Sequence, residues 1–135
     1  MSVLFDRTLA VLGAGLTARS EAQGVIAGNV ANADTPGFRA RRVDFSEALA
    51  RVARGERAPN QARTDARHFE GLEGAQELEG RVEIDTSAGR VDGNNVVLED
   101  EVSAQVANAM EYQALTTLAR RKFGMMRYAL DHGGR

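Results

Sequence analysis

Apolar residues return along the first thirty positions of the chain at the steps of three and four that place side chains on one face of a helix. This face consists of Phe5, Leu9, Leu12, Leu16, Ile26 and Val30. Arg19 and Gln23 interrupt it in the middle turns, and alanines flank it. A helix from Phe5 to Ala31 would be roughly 39 Å long. Such a helix is too long for a compact domain of 135 residues unless a second long helix lies beside it.

A second helical pattern near the C-terminus supplies that partner. It runs without proline from about Val97 to Leu130, which corresponds to a helix of roughly 50 Å. Its apolar positions form a broad stripe made of Val102, Val106, Met110, Ala114, Leu118, Met125 and Met126. The two patterns predict a mainly α fold in which two long terminal helices pack as an antiparallel coiled coil. In the predicted interface, one helix contributes Leu9, Leu12, Leu16 and Ile26, and the other contributes Val102, Met110, Leu118 and Met125.

The stretch between the helices predicts irregular structure with a few short elements. Residues 38–45 alternate weakly and indicate an extended segment, followed by a short helix from Ser46 to Arg54 with Ser46 as its N-cap. Residues 81–86 alternate polar and β-branched side chains, and residues 90–92 are expected to return as the second strand of a β-hairpin. Residues 55–80 are polar and poor in large apolar side chains, which is typical of a mobile segment or of one ordered by a partner. We expect a single domain over 1–135, with the first helix within 1–34, the insertion at 35–95 and the last helix within 96–135.

The first helical pattern ends in a stretch whose chemistry dictates a turn. Pro36 fixes φ near −65°, and Gly37 tolerates the positive φ that the next position of a type II turn requires. Thr35 precedes the proline and is therefore biased away from the α region, so the helix is expected to stop before it. Asn29 and Asn32 lie about one turn apart and can bond backbone groups that the helix end leaves unpaired.

Composition narrows the class of protein. No cysteine is present, which excludes disulfides and thiolate metal sites, and the net charge of −2 is spread over both signs. No global field therefore steers the chain toward nucleic acid or an anionic membrane. No apolar run approaches the roughly 18 residues of a membrane-spanning helix. Residues 9–16 resemble the apolar region of a signal peptide, but Phe5 and Asp6 stand where a basic region is required, so we expect no cleaved signal peptide.

The sequence offers no catalytic constellation. His68 and His132 lie far apart and lack the carboxylate spacing of a zinc site, and the serines lack the context of an activated nucleophile. We therefore expect no enzymatic activity, no metal and no cofactor.

One alternative is a small dinucleotide-binding protein. Gly13, Gly15 and Ala18 follow an apolar run with the G-x-G-x-x-A spacing, and Asp34 is near the distance of a ribose-binding carboxylate. The segment that should form the second strand contains glycine and two asparagines, however, and no further β-α alternation follows. This pattern favours glycines inside a helix over a nucleotide site.

A second alternative is nucleic-acid binding through the basic run Arg39, Arg41 and Arg42, which could contact phosphates. Asp44 lies beside this run, and no wider basic face surrounds it. Ion pairing with acidic neighbours or simple solvation is therefore the favoured interpretation.

The turn stretch resembles the N-terminal signature of bacterial flagellar rod, hook and hook-associated proteins, of the form N-hydrophobic-A-N-x-x-T-x-G-aromatic. The assembly motif in this sequence consists of Asn29, Ala31, Asn32, Thr35, Pro36, Gly37 and Phe38. Within that family the chain is similar to proximal rod subunits at further positions, which are Ala40, Arg41, Val43, Asp44, Phe45, Thr64, His68, residues 92–96, Leu98, Glu101, Asn108, Tyr112 and Phe123. The sibling rod protein FlgC is an alternative, but its proline-containing stretch before the last helix is missing here.

The resemblance implies a non-enzymatic structural subunit of the flagellar rod, the drive shaft that crosses the periplasm, transmits torque and encloses the export channel. Such subunits pass uncleaved through the flagellar type III export apparatus and assemble helically through their terminal helices. The implied partners are other copies of the chain, the rod proteins FlgC, FlgF and FlgG, the basal-body adaptor FliE and the export gate, without nucleic acid or membrane insertion. The turn at residues 32–38 is then expected to seat against an adjacent subunit.

Overall fold

Two long helices at opposite ends of the chain dominate the fold. The computed structural model describes residues 2–56 and 80–133, and all structural statements below concern these residues. The elements in chain order are α1 (Ser2–Ala31), β1 (Arg41–Asp44), α2 (Ser46–Arg54), β2 (Arg81–Ile84) and α3 (Leu98–His132). The predicted mainly α class, with long terminal helices around a smaller insertion, is confirmed. The segment expected to be mobile or ordered by a partner falls almost entirely on residues 57–79, outside the described ranges, as do Thr64 and His68.

The terminal helices pack against each other in opposite directions. Near the end of α1, Asn29 contacts Glu101 at the start of α3. In the middle of the helices, Arg19 Nη1 lies 2.7 Å from Glu111 Oε2. Gly15, closer to the start of α1, faces Leu115. Residue numbers therefore rise along one helix as they fall along the other, which confirms the antiparallel arrangement.

The face that α3 turns toward α1 differs from the one predicted. Val102, Met110, Leu118 and Met125 were expected to fill this interface, yet they are 48%, 65%, 50% and 57% exposed. The contacts come instead from Glu101, Asn108 and Leu115, which are spaced by seven residues. Counting apolar residues pointed to the wrong face because two of these three interface positions are polar. On the α1 side, Ile26 is buried, and Leu9, Leu12 and Leu16 are half-buried.

The apolar core lies between α1 and α2 and is small. Its buried members are Ala14, Ala18, Phe45, Ala48 and Val52. Because α1 presents alanines here, α2 can approach closely and cover Phe45. A hydrogen bond of 2.7 Å from Arg7 Nε to the Ala53 carbonyl ties the two helices at the edge of this core.

The start of α2 uses a different residue from the predicted N-cap. Ser46 is the first helical residue, and the capping position is held by Phe45, which makes no side-chain hydrogen bond there. The carboxylate of Asp44 accepts a hydrogen bond of 2.8 Å from the Ser46 N–H. That bond holds the pKa of Asp44 below its ordinary value, because a carboxylate that accepts an N–H is stabilised in its charged form. The predicted N-cap is therefore one residue too late, because Ser46 is itself a good capping residue and nothing in the local sequence marks Phe45 as the cap.

A two-stranded antiparallel sheet packs beside the helices. β1 pairs with β2 in a register that places Arg41 opposite Ile84 and Asp44 opposite Arg81. An antiparallel pair involving residues 81–84 is confirmed, but the predicted pairing with residues 90–92 is wrong, because those residues lie in a turn. Gly80 permits the observed pairing, since a Cβ at this position would lie 2.3 Å from the Phe45 ring.

Candidate assembly site

The turn after α1 has the predicted type II geometry. Gly37 has φ of +73°, and the Phe38 N–H donates to the Thr35 carbonyl at 3.2 Å. Thr35, Pro36 and Gly37 are exposed, whereas Phe38 is half-buried. The tip of the turn is therefore accessible to a partner, whereas the aromatic side chain of Phe38 is partly covered by the rest of the chain.

Asn32 organises the approach to the turn. Its Nδ2 donates to the Gly28 carbonyl at 2.8 Å, and its Oδ1 accepts from Thr35 Oγ1 at 3.2 Å. The side chain thus bonds to the last helical turn on one side and to the tight turn on the other. Both bonds are local, as the sequence predicted for an asparagine at a helix end.

Asn94 closes the end of α1 from a distant part of the sequence. Its side chain is fully buried, and its Nδ2 lies 2.9, 3.1 and 2.8 Å from the carbonyl oxygens of Asn32, Ala33 and Thr35. Its Oδ1 accepts from the Val96 N–H at 2.7 Å. The carbonyls that follow a helix have no partner within the helix. One amide group therefore satisfies several of them and fixes the direction in which the chain leaves α1.

Asn95 joins the same loop to the sheet. Its Oδ1 accepts from the Ala40 N–H at 2.7 Å, and its Nδ2 donates to the Asp85 carbonyl at 3.0 Å and to Ser87 Oγ at 3.3 Å. The Asp85 carboxylate accepts from the Ser87 N–H at 2.8 Å, which lowers the pKa of Asp85. The Gly37 N–H also donates to the Asp92 carbonyl at 2.9 Å, so residues 92–95 are held against the turn and the ends of the sheet and do not form the predicted second strand.

Asn29 acts on β1 as a neighbouring strand would. Its Oδ1 accepts from the Arg41 N–H at 2.9 Å, and its Nδ2 donates to the Arg41 carbonyl at 2.8 Å. The same Nδ2 lies 3.1 Å from Glu101 Oε2. Because the side chain is 1% exposed, it pairs the outer edge of β1 in a site that water does not reach. We refer to Asn29, Asn32, Asn94 and Asn95 together as the asparagine cluster.

Glu101 links the asparagine cluster to α3. Its side chain is fully buried, with Oε2 against Asn29 and Oε1 at 2.7 Å from Arg42 Nη1. A buried carboxylate requires both a countercharge and hydrogen bonds. One side chain of α3 therefore contacts the end of α1 and the strand β1 together.

The motif and packing residues predicted from the sequence do not all lie in one site. The structure brings Asn29, Asn32 and the turn together within one network, while Ala31 is exposed beside it. The four predicted α3 packing residues lie on the outer surface, away from this network. The predicted packing of these four residues against α1 within one chain is not observed.

The dinucleotide alternative is not favoured by the structure. Gly13, Gly15 and Ala18 lie inside α1 (Ser2–Ala31), so the described residues directly before them are helical and do not form the strand that the fingerprint requires. A Cβ at Gly15 would lie 3.1 Å from Leu115 Cδ1, so this glycine serves helix packing and leaves no room for a phosphate.

The three clustered arginines make contacts within the chain. Arg42 pairs with Glu101, Arg39 Nη1 donates to the Ser87 carbonyl at 2.6 Å, and the Arg41 guanidinium lies 5.9 Å from the centre of the Phe38 ring. Ion pairing, the favoured interpretation, is therefore observed for Arg42. Along residues 2–56 and 80–133, no helix is long and apolar enough to cross a bilayer, and no group of three potential metal-ligating side chains occurs.

Residue patterns alone did not predict the structural roles of Glu101, Asn94, Asn95 and Asn108. Glu101 follows two exposed acidic residues and reads as part of an acidic helix start. A signal was nevertheless present, because Glu101, Asn108 and Leu115 recur every seven residues and so share one face of α3. A polar residue at such a position indicates a buried hydrogen bond when the partner helix offers space.

Comparison with known proteins relates this chain to flagellar basal body rod proteins. The family model described as "Flagella basal body rod protein" matches residues 9–39, which cover most of α1 and the turn. The chain is 32% identical to the flagellar basal body rod protein FlgB of Aeromonas hydrophila, over 96% of this chain and 97% of that one. It is 36% identical to FlgB of Yersinia enterocolitica over 82% of this chain and 85% of that one. It is 31% identical to FlgB of Bacillus subtilis strain 168 over 96% and 98% of the two chains.

Proposed function

This chain belongs to the FlgB family of flagellar basal body rod proteins, and from that membership we propose how its fold serves the rod. Members of this family are structural proteins, so the prediction of a non-enzymatic protein is confirmed. The chain is accordingly a structural component of the flagellar basal body. FlgB relatives match nearly the full length, which does not favour the FlgC alternative.

We propose that the chain assembles helically through its terminal helices. The observation that carries this proposal is the apolar row on the outer face of α3, spaced by four residues. Its large members are Leu98, Val102, Val106, Met110 and Leu118, which are between 47% and 65% exposed. A contiguous exposed apolar surface of this kind is typical of a protein–protein interface. In the assembled rod, this row packs against helices of neighbouring subunits.

The tube formed in this way encloses the export channel and transmits torque as part of the drive shaft. Torque requires that helices and turn move as one body. The asparagine cluster supports this role, because it bonds the end of α1, the sheet and the loop before α3 to each other. The exposed tip at Thr35, Pro36 and Gly37 is the part of the motif that we propose seats against an adjacent subunit.

The partners that we propose are other copies of the chain, the rod proteins FlgC, FlgF and FlgG, the adaptor FliE and the export gate. We further propose export through the flagellar type III apparatus without cleavage, with the chain acting as one domain. This proposal is supported by family membership and by the helical structure of residues 9–16, which form part of α1.

The test is a deletion strain complemented with variants of this chain. Deletion is expected to abolish motility and to leave basal bodies without a completed rod, and the wild-type chain is expected to restore both. Motile flagella in the deletion strain would refute the rod assignment.

A single substitution then tests the apolar row. Met110→Asp places a charge on the row at a 65% exposed position, so the free chain should keep its helical circular dichroism while motility is lost. Gln105→Asp introduces the same side chain at an exposed position of α3 outside the row and is expected to remain motile. Equal motility of the two variants would show that the row is not an assembly surface.

A further inference from the structure

A groove lies between α1, β1 and α3, on the side of the molecule where the two long helices meet the sheet. Its volume is about 260 Å³, and its lining includes the small or branched residues Ala22, Val25, Ile26, Ala104 and Ala107. Because Ala22 on α1 and Ala104 and Ala107 on α3 have small side chains, another chain can come close to the backbone of both helices. The groove can therefore accept a slender element such as a helix face without large side chains.

Two side chains of the groove, Asn108 and Arg41, each leave one interaction unmade among the described residues: a hydrogen bond to the Asn108 oxygen and an ion pair of Arg41. Asn108 is 5% exposed, and its Nδ2 donates to the Arg19 carbonyl at 2.9 Å and to Gln23 Oε1 at 3.1 Å. These bonds leave Asn108 Oδ1 without a donor within the described ranges. Because that oxygen has almost no exposed surface, a partner's donor reaches it only when side chains at the groove shift on docking, and satisfying a buried acceptor in this way is favourable.

The second group is the guanidinium of Arg41. Of the three arginines that line the groove, Arg19 is paired with Glu111 and Arg42 with Glu101, each at 2.7 Å. Arg41 makes no ion pair in the described part of the chain. The groove therefore carries one unbalanced positive charge and is suited to a carboxylate.

A complementary surface lies on the opposite side of α1. This outer stripe of α1 consists of Thr17, Ser20, Glu21, Gly24, Ala27, Gly28 and Ala31, all exposed. No atom lies within 4 Å of a Cβ built on Gly24 or Gly28. Glu21 is the stripe's one charged residue, and it has no ion-pair partner across residues 2–56 and 80–133. Next to it, Ser20 offers a hydroxyl.

We propose that the groove of one copy binds the outer stripe of α1 of a second copy, an inference that rests on the assembly function above. Glu21 of the second copy pairs with Arg41, and the Ser20 hydroxyl provides the donor that Asn108 Oδ1 lacks. The glycines of the stripe meet the alanines of the groove, which permits a short distance between the helix axes. Charge, hydrogen-bonding capacity and shape all favour this occupant.

The geometry also sets the type of assembly. Ala22, which lines the groove, and Gly24, on the stripe, are two positions apart and so point to opposite sides of the helix. A contact between groove and stripe is therefore heterologous and leaves each copy with one free groove or stripe. Contacts of this kind form rings or open helical arrays. The proposed contact thus supports growth of a helical rod and does not close into a dimer.

The chain contains no cysteine, so engineered thiols provide a direct test. Ala107→Cys places a thiol in the groove and Gly24→Cys places one on the stripe, at sites that tolerate a small side chain. The two variants are coexpressed in a strain lacking the native gene, and basal bodies are oxidised mildly. A covalent dimer is expected from the mixture and not from either variant alone. A chain with both substitutions is expected to give a ladder of multimers.

Glu47→Cys, at an exposed position of α2, replaces Gly24→Cys in the matched control and is expected to give no dimer. If all variants enter basal bodies and the 24–107 mixture gives no dimer, the inference is overturned while the rod function stands. If the wild-type chain is absent from basal bodies, the rod function itself fails.

A charge exchange tests the ionic contact independently. Arg41→Glu or Glu21→Arg alone is expected to lower incorporation into basal bodies about tenfold, the effect of 1.4 kcal/mol, because each places like charges together. The backbone of Arg41, which bonds Asn29, is unchanged by the substitution. Combining the two substitutions should restore incorporation. Two additive defects without restoration would refute the Glu21–Arg41 contact.

Discussion

The end of α1 depends on the side-chain amide of Asn94, which comes from a distant part of the sequence. It lies against three carbonyl oxygens and is fully buried. Local sequence cannot reveal this dependence, because the residues it bonds are about sixty positions away. The nearer asparagine, Asn32, makes bonds that any reading of a helix end would expect.

Asn94→Ala is expected to lower the free energy of unfolding of the free chain by about 2 kcal/mol, since it removes several hydrogen bonds from a buried site. Asn94→Asp keeps the acceptor for the Val96 N–H but turns a carboxylate toward carbonyl oxygens, so it should destabilise at least as much. Urea unfolding followed by circular dichroism measures both. Gln113→Ala, at an exposed position of α3, is the control and should change stability by less than about 0.5 kcal/mol. Equal effects at the two positions would contradict the role assigned to Asn94.

Two surface carboxylates, of which Asp44 is exposed and Asp85 is half-buried, give the fold an acid sensitivity of predictable sign. Asp44 and Asp85 accept hydrogen bonds from the Ser46 and Ser87 N–H groups, and their pKa values are lowered from 3.8. A lowered pKa in the folded state means stability that is present above pH 3.8 and is lost as pH falls through the folded-state pKa.

Replacing both carboxylates by asparagine keeps an oxygen acceptor but removes the titration. The double variant should therefore show a shallower loss of stability between pH 5 and pH 2 than the native chain, a window of about three pH units around the ordinary carboxylate pKa. Urea midpoints measured across this range provide the check. Parallel curves would mean that other groups carry the acid sensitivity.

At the scale of elements, the sequence predicted the features that depend on neighbouring residues and on apolar periodicity. The spans of α1, α2 and α3 and the type II turn follow from periodicity, Pro36 and Gly37, and they are confirmed. The face of α3 was predicted wrongly because Glu101 and Asn108 are buried in the interface while Val102 and Met110 are exposed. Apolar spacing identifies a face that becomes buried somewhere, and in a protein that assembles, that burial need not occur within one chain.

The pairing of the strands was missed for a different reason. Residues 81–84 have the alternation of a strand, but their partner β1 is about forty residues away. The observed partner is supported by Asn95, whose side chain bonds to Ala40, directly before β1, and to Asp85, directly after β2. Such bonds leave no trace in hydrophobic periodicity.

Two glycines, one inside α1 and one in the turn that follows it, allow the effect of an added methyl group to be compared in two environments. Gly24→Ala in α1 should raise the stability of the free chain by about 1 kcal/mol, because alanine favours the helix and nothing lies within 4 Å of the new Cβ. Gly37→Ala should lower it by about 1–2 kcal/mol, since φ there is +73°. Thermal unfolding of the two variants measures the difference. Destabilisation by Gly24→Ala would show that this helix position is not open in the free chain.

At the scale of the whole molecule, the first half of α3 is packed against other elements and the second half is largely exposed. α3 continues past the start of α1, and Phe123, Met125, Tyr128 and Leu130 are between 57% and 81% exposed. The first half of α3 is held by Glu101, Asn108 and Leu115. We therefore expect the free subunit to be better ordered near the turn than at the end of α3.

Hydrogen exchange should show this gradient. In the free chain, amides of residues 120–132 are expected to exchange faster than those of residues 101–115, because fewer tertiary contacts oppose local opening. In isolated rods, both ranges should be protected. Uniform protection in the free chain would contradict the view that assembly completes the order of α3.

The position of Asn94 has a consequence for the order in which the chain folds. Its bonds to the end of α1 span 59 to 62 residues, so closing that loop costs about 3.6 kcal/mol of chain entropy beyond a constant. A chain that emerges N-terminus first cannot complete the joint after α1 until residue 94 has arrived. The turn motif thus becomes rigid late, after most of the polypeptide has emerged, and an incomplete chain lacks the rigid joint that a neighbour would recognise. In a protein that assembles through this joint, a chain truncated before residue 94 would therefore be left out of the growing polymer.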